Sequence, residues 1–310
     1  MRNGNSKRLV ILTYHRVVAD DPLKDPDEID EAQFRMHVET LSRFFNVLKL
    51  SDAVAGLKNG GVPGRAVAIT FDDGYRDNVT AALPILEHYG VPATFFIASG
   101  FLDGGIMWND IVIESVKRFE GETIDLEDLD LGSYPAREPG DKTAAYRRIL
   151  GKLRYEPQEK RDVLCTAIAE RLGVRPPTDL MMKSADLATL RDAGMEVGAH
   201  TRNHPILAVV PDADAQSEIA RSKDDVETIL GAEVKSFAYP NGRPGQDYEE
   251  KHVAMVRDAG FELAVSTAAG CVGPEADVFQ LGRVSVWHRS KPKLLARMLM
   301  NYFLGDPATA

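Results

Sequence analysis

Ala66-Val67-Ala68-Ile69-Thr70-Phe71-Asp72-Asp73-Gly74 is an apolar run, rich in β-branched residues, that ends abruptly in two adjacent carboxylates and a glycine. It is too short for a helix and is bounded by turn residues, so it reads as a strand buried on both faces. In α/β folds the chemistry gathers beyond the C-terminal ends of such strands, where Asp72 and Asp73 stand. Neighbouring strand residues point to opposite sides, so the two aspartates can hold different jobs. A strand followed by a polar Asp-Gly turn is the alternative reading of the same stretch.

Outward from this stretch, apolar periodicity predicts further strands over 9–14, 46–50, 93–98, 195–199, 234–239, 262–266 and 281–286. Helical spacing marks 32–45, 79–89, 185–193, 213–230, 248–259 and 292–303, and Gly194, Gly231 and Gly260 fall where helix C-caps belong. Strands alternating with helices specify a parallel sheet. With about seven to eight strands and polar residues after several of them, the expected fold is α/β, a closed or nearly closed (β/α) barrel in one domain spanning 1–310. The alternation lapses over 101–183, which shows helical pieces (111–119, 143–153, 159–172), an acidic segment at 122–130 and no comparable strand. This is read as a helical insertion over one end of the fold, a lid or substrate wall.

The 310 residues are 44% hydrophobic, enough for a substantial core in a soluble protein. A net charge of −10 argues against a general nucleic-acid or anionic-membrane binder. Cys165 and Cys271 lack metal-type spacing and read as free thiols. The basic N-terminus is followed by an apolar stretch too short for a signal-peptide core, and no run reaches transmembrane length, so a cytoplasmic protein without membrane insertion is expected. No feature specifies an oligomeric state.

The second signal is Gly198-Ala199-His200-Thr201-Arg202-Asn203-His204-Pro205. Histidines four apart converge on one metal if the residues between them form a helical turn. Otherwise His200 ends a strand with a buried hydrogen bond and His204 sits in a loop. The barrel places the pair on the same rim as Asp72 and Asp73. One carboxylate plus two imidazoles is the donor set of an open catalytic metal site. Zn2+ suits it best, and Co2+, Ni2+, Mn2+ or Fe are also accepted by mixed N/O ligands. A carboxylate that is not a ligand can act as general base on water activated there.

Thr70-Phe71-Asp72-Asp73-Gly74 followed by His200-Thr201-Arg202-Asn203-His204 resembles the polysaccharide deacetylases, the NodB-homology family also known as carbohydrate esterase family four. The resemblance covers the chain from about Leu9 to Val286, apart from the insertion. It implies a distorted (β/α) barrel and a divalent-metal-dependent hydrolase that removes acetyl groups from an N-acetylated sugar or polysaccharide, its partner being that acetylated saccharide. By position it makes Asp72 the general base and Asp73, His200 and His204 the metal ligands.

The family's third motif, Arg-x-Pro-Tyr, is replaced by Phe237-Ala238-Tyr239-Pro240-Asn241-Gly242. Asn241 keeps the backbone N–H that the family uses as oxyanion donor, and Tyr239 and Pro240 are expected beside the substrate. Ala238 removes the arginine that orients the base. Arg283 is a candidate substitute from a neighbouring strand; a surface arginine at a strand edge is its competing reading. The family's general acid, a histidine after the last strand, is matched loosely by His288 in Val286-Trp287-His288, with His15 competing for the role and otherwise lining the pocket. Trp108 is a candidate sugar platform or a core residue. The weak acid motif leaves an O-acetyl carbohydrate esterase as an alternative, and the missing arginine leaves a catalytically impaired saccharide-binding protein.

Overall fold

The stretch 66–71 forms a strand with all six residues buried. The structure, a computed structural model, describes residues 8–19, 24, 28–302 and 305–310. Seven parallel strands run through one curled sheet: β1 (Leu9–Tyr14), β2 (Ala66–Phe71), β3 (Thr94–Ile97), β4 (Glu196–Ala199), β5 (Ser236–Ala238), β6 (Leu263–Val265) and β7 (Val284–Ser285). Their spatial order is β6-β5-β4-β3-β2-β1-β7, and a short strand, Asn46–Val47, also pairs with β2. β1 and β2 are in register from Leu9 opposite Ala66 to Tyr14 opposite Phe71. The segment leading into β7 meets the opposite edge through a parallel bridge between Leu281 and Val265. Residues 281–285 thus stand between β6 and β1, and the expected distorted (β/α) barrel is the observed fold.

Helices α1 (Glu31–Phe44), α2 (Leu50–Asn59), α3 (Leu83–Tyr89), α7 (Ser184–Asp192), α8 (Asp212–Leu230), α9 (Glu250–Asp258) and α10 (Lys291–Asn301) accompany the strands. The helix expected over 79–89 opens with a π-helical turn, Asn78–Ala82, before α3. The expected end of the last helix, at 303, lies outside the described residues.

The insertion holds α4 (Trp108–Arg118), α5 (Pro139–Leu153) and α6 (Gln158–Leu172). It also holds a two-stranded antiparallel hairpin, Thr123–Leu126 with Gly132–Pro135, where an acidic segment without strands was expected. Acidic composition hid a period-two pattern: Ile124 and Leu126 are buried while Thr123 and Asp125 are exposed. These strands join the three helices in an apolar cluster separate from those of the barrel.

Side-chain alternation divides the barrel strands between two cores. Val67, Ile69 and Phe71 face the surrounding helices, with Phe71 stacked on Phe95 at 4.8 Å. Leu9, Ile11, Ala66, Ala68, Phe96, Ala238, Val265 and Leu281 fill the interior, to which α2 contributes Leu57 and Val54. The same parity carried toward the C-terminal rim gives Thr70, Asp72, His200 and Arg283, all buried. The barrel interior is therefore apolar at its base and polar at its top, and the strand period alone sorts it so.

Gly198 lies in this interior two residues before His200. A Cβ there would stand 2.6 Å from the Phe96 ring and 2.6 Å from Ser236 Oγ. Gly198→Ala is expected to destabilise the protein by about 1–3 kcal/mol through overpacking, read as a lower urea midpoint at unchanged slope.

Candidate metal centre and adjoining cavity

The polar layer at the rim is organised around Asp72. Arg283 donates from both terminal nitrogens to the two oxygens of Asp72, at 2.6 Å each. Its Nε donates to the Ser266 carbonyl at 3.1 Å, and one terminal nitrogen also reaches Thr70 Oγ1 at 3.1 Å. The Arg283 side chain is wholly buried, so the reading of a surface arginine at a strand edge fails. Burial pushes the Asp72 carboxyl up, but Arg283 and His200 outweigh it and hold the pKa below the ordinary aspartate value. Asp72 is thus an ionised acceptor, fixed in orientation and with lone pairs left beyond those Arg283 engages.

Asp73 leaves the strand with φ 77°, in the left-handed region that β-carbon sterics disfavour, and this turns its carboxylate toward His200 and His204. Its Oδ1 lies 3.4 Å from the Nε2 of each histidine and has no hydrogen-bond partner. His200 Nδ1 donates to the Ala238 carbonyl at 2.7 Å, which leaves its Nε2 lone pair facing Asp73. His204 Nδ1 has no partner among the described residues. Burial drives the Asp73 carboxyl up, but the three histidines around it prevail and hold it far below the usual range. Burial pushes His204 down to about 4.

The donor set has the spacing of a tetrahedral metal site. Ligands about 2.0–2.1 Å from a tetrahedral ion stand about 3.3–3.4 Å apart, close to the separation of Asp73 Oδ1 from each Nε2. The three groups offer ligand atoms that all lie within 4.8 Å of one another. An acceptor buried without a donor is costly in a native protein, and a cation would satisfy Asp73 Oδ1.

The residues between the two histidines do not form a helical turn, one of the two arrangements that the four-residue spacing allows. The segment is irregular, with Thr201 at φ 58° and His204 at φ 52°. Glu218 on α8 holds it: its carboxylate accepts from the N–H groups of Arg202 (2.9 Å) and Asn203 (2.7 Å) and from the Asn203 side-chain amide (2.7 Å). Glu218 carries no sequence signal, since it is one acid on a polar helix.

A cavity of about 630 Å³ opens beside Asp73, bounded by the barrel rim and the insertion. His15 lines it, and His15 is close enough to act on the charges of Asp72, Asp73 and His204. Asp110 on α4 also lines it; both its oxygens accept from the Tyr75 hydroxyl at 3.0 Å. Burial chiefly raises the Asp110 carboxyl to about 7.

Four expected site residues, His288, Tyr239, Pro240 and Trp108, do not line this cavity. His288 stays outside it, although Ser285, Val286 and Trp287 just before it line it. Burial and the charges of Arg297 and Lys293 on α10 lower the proton affinity of His288. Trp287, which the sequence reading passed over, lines the cavity and is 52% exposed. Tyr239, expected beside the substrate, is fully buried and stacked on Tyr248 with centroids 3.9 Å apart. Pro240 is buried beside it. Trp108 does not reach this cavity but lines a smaller hollow nearby. Asn241 sits at φ 55° beyond β5, and its N–H meets no acceptor among the described residues.

Fold and donor cluster define a class, an α/β barrel with a carboxylate–imidazole site at its strand ends. The sequence profile for polysaccharide deacetylase matches residues 59–127 and 166–264, and the chain belongs to that family. It is 22% identical over 281 residues to YxkH of Bacillus subtilis, covering 90% of this chain and 71% of that one. It is 24% identical over 249 residues to the poly-β-1,6-N-acetyl-D-glucosamine N-deacetylase of Staphylococcus epidermidis, covering 71% and 81%. Among solved structures, the Streptococcus pyogenes deacetylase PplD in complex with acetate superposes with a TM-score of 0.65 at 18% identity, covering 94% and 97%. No helix of the described residues is long and apolar enough to cross a membrane.

If Glu218 holds the 201–204 segment for metal binding, Glu218→Gln should weaken zinc affinity about 10–100-fold, the range for groups that orient ligands. A competitive chelator titration measures it.

Proposed function

We propose that this polysaccharide deacetylase is a metal-dependent de-N-acetylase that works through Asp72 and the Asp73-His200-His204 cluster. The observation that carries the proposal is the division of labour between adjacent aspartates. Asp72 is clamped by Arg283 and is the ionised acceptor, whereas the Asp73 oxygen facing two imidazoles has no donor. A divalent ion there, zinc by donor chemistry, would supply Lewis acidity to water and to the acetyl carbonyl.

The chain's own groups then account for the proton movements. Water attacks the amide carbon and gives a proton to Asp72, whose orientation Arg283 maintains. The Asn241 N–H is the candidate donor to the oxyanion. When the C–N bond breaks, the leaving nitrogen takes a proton from His15, the histidine that lines the cavity. The products are acetate and the free amine. Trp287 offers an aromatic face for a sugar ring, and the insertion supplies the opposite wall through Asn109, Asp110 and Tyr146. Arg283 takes the place of the arginine lost at Ala238, which removes the main support for a non-hydrolytic saccharide binder.

Acetate release from N-acetylglucosamine oligomers, on protein stripped of metal and reloaded with zinc or cobalt, tests the reading. Release should require metal and fall at least about 10³-fold in Asp72→Asn and His204→Ala. Release from an O-acetyl ester alone would assign an esterase instead. The two histidines separate in the same assay: His15→Ala should lose about 10²-fold in kcat, and His288→Ala should stay near wild type. The reverse order would restore His288 as the acid.

A further inference from the structure

One residue of α6 is not explained by the packing of the insertion. Arg161 is 3% exposed, and its Nε is buried without a partner. Among the described residues its guanidinium donates no hydrogen bond and meets no carboxylate at ion-pair distance. Its close neighbour of complementary character is the Trp108 ring, whose centroid lies 4.7 Å from Cζ. Arginine is almost never fully buried unless paired, and a cation–π contact recovers only part of what burying a guanidinium costs. Burial accordingly lowers the Arg161 pKa, against the opposing field of Asp162.

This charge lines a hollow of about 240 Å³, together with Trp108, Gln158, Asp162, Thr166 and Asn203. Asp162, the one acid of the lining, is exposed, whereas Arg161 is buried. The hollow adjoins the larger cavity across a short piece of chain: Trp108 lines the small one, and Asn109 and Asp110 line the large one. Asn203 directly precedes His204. A group seated against Arg161 would therefore stand within one helix of the larger cavity, beside the residue that precedes His204.

The guanidinium fork matches the paired oxygens of a carboxylate or phosphate, and such a group would supply in direct contact the countercharge that Asp162 gives only at longer range. We propose that this hollow is an oxyanion subsite, in which Arg161 receives a carboxylate or phosphate carried on a sugar of the acetylated saccharide. The saccharide as carrier rests on the deacetylase reading; the charge preference rests on Arg161.

Titration calorimetry on the metal-loaded protein, with glucose, glucuronate and glucose 6-phosphate as probes, tests it. At low salt at least one charged sugar should bind about tenfold or more tighter than glucose, and which one does so distinguishes carboxylate from phosphate. The preference should vanish in Arg161→Met, which should melt no lower than wild type because it removes a buried charge without a partner. Thr166→Trp, on the exposed edge of the hollow, should abolish the preference with the buried charge still in place. Equal binding of all three sugars overturns the subsite, as does a preference unchanged in both variants. Acetate release from a neutral oligomer on the same preparations keeps the readings apart. Release without charge preference defeats the subsite alone, whereas charge-selective binding without release defeats the deacetylase reading alone.

Discussion

The buried pair between Arg283 and Asp72 is the interaction on which the rim depends. Arg283 lies in the segment that stands between β6 and β1, and its guanidinium reaches Ser266 beyond β6 as well as Thr70 and Asp72 at the end of β2. One side chain thus ties the closing segment of the barrel to the strand that carries both aspartates. A buried charge pair is stable only when its remaining hydrogen-bond capacity is met, and here Ser266 and Thr70 meet it. Loss of either partner leaves an uncompensated buried charge, at a cost of about 3–5 kcal/mol. Barrel closure and orientation of the proposed base are therefore one physical event.

The rim also stores backbone strain. Asp73, Thr201, His204 and Asn241 all adopt positive φ without being glycine, at about 1–3 kcal/mol each. Such conformations persist only where surrounding contacts over-determine them. Glu218 does this for the histidine segment, and the hydrogen bond from Thr267 to the Asn241 carbonyl does it beyond β5. The apolar barrel below supplies the stability that these turns consume.

Much of this was legible in the sequence where chemistry and periodicity sit in contiguous residues. The strand ending in Asp72-Asp73 and the His200–His204 segment announce themselves, because a strand end fixes where its last side chains emerge. What stayed hidden depends on contacts between distant elements. Arg283 was a candidate with a rival reading, and only its burial against Asp72 decides between them. His288 was set against His15 by motif, and only the cavity lining, which includes His15 but not His288, separates them. Tyr239 neighbours Asn241 in sequence but stacks on Tyr248 inside the protein. The hairpin at 123–135 was masked by its acids, and Glu218 has no local pattern at all.

The insertion's apolar cluster shares no residue with the two cores of the barrel. That separation bears on how such a protein changes over evolutionary time. Substitutions that repack α4, α5 and α6 alter the wall of the cavity without entering the layer that holds Asp72, Asp73 and the histidines. New substrate preferences can accumulate in one half of the pocket while the reaction chemistry is inherited unchanged in the other.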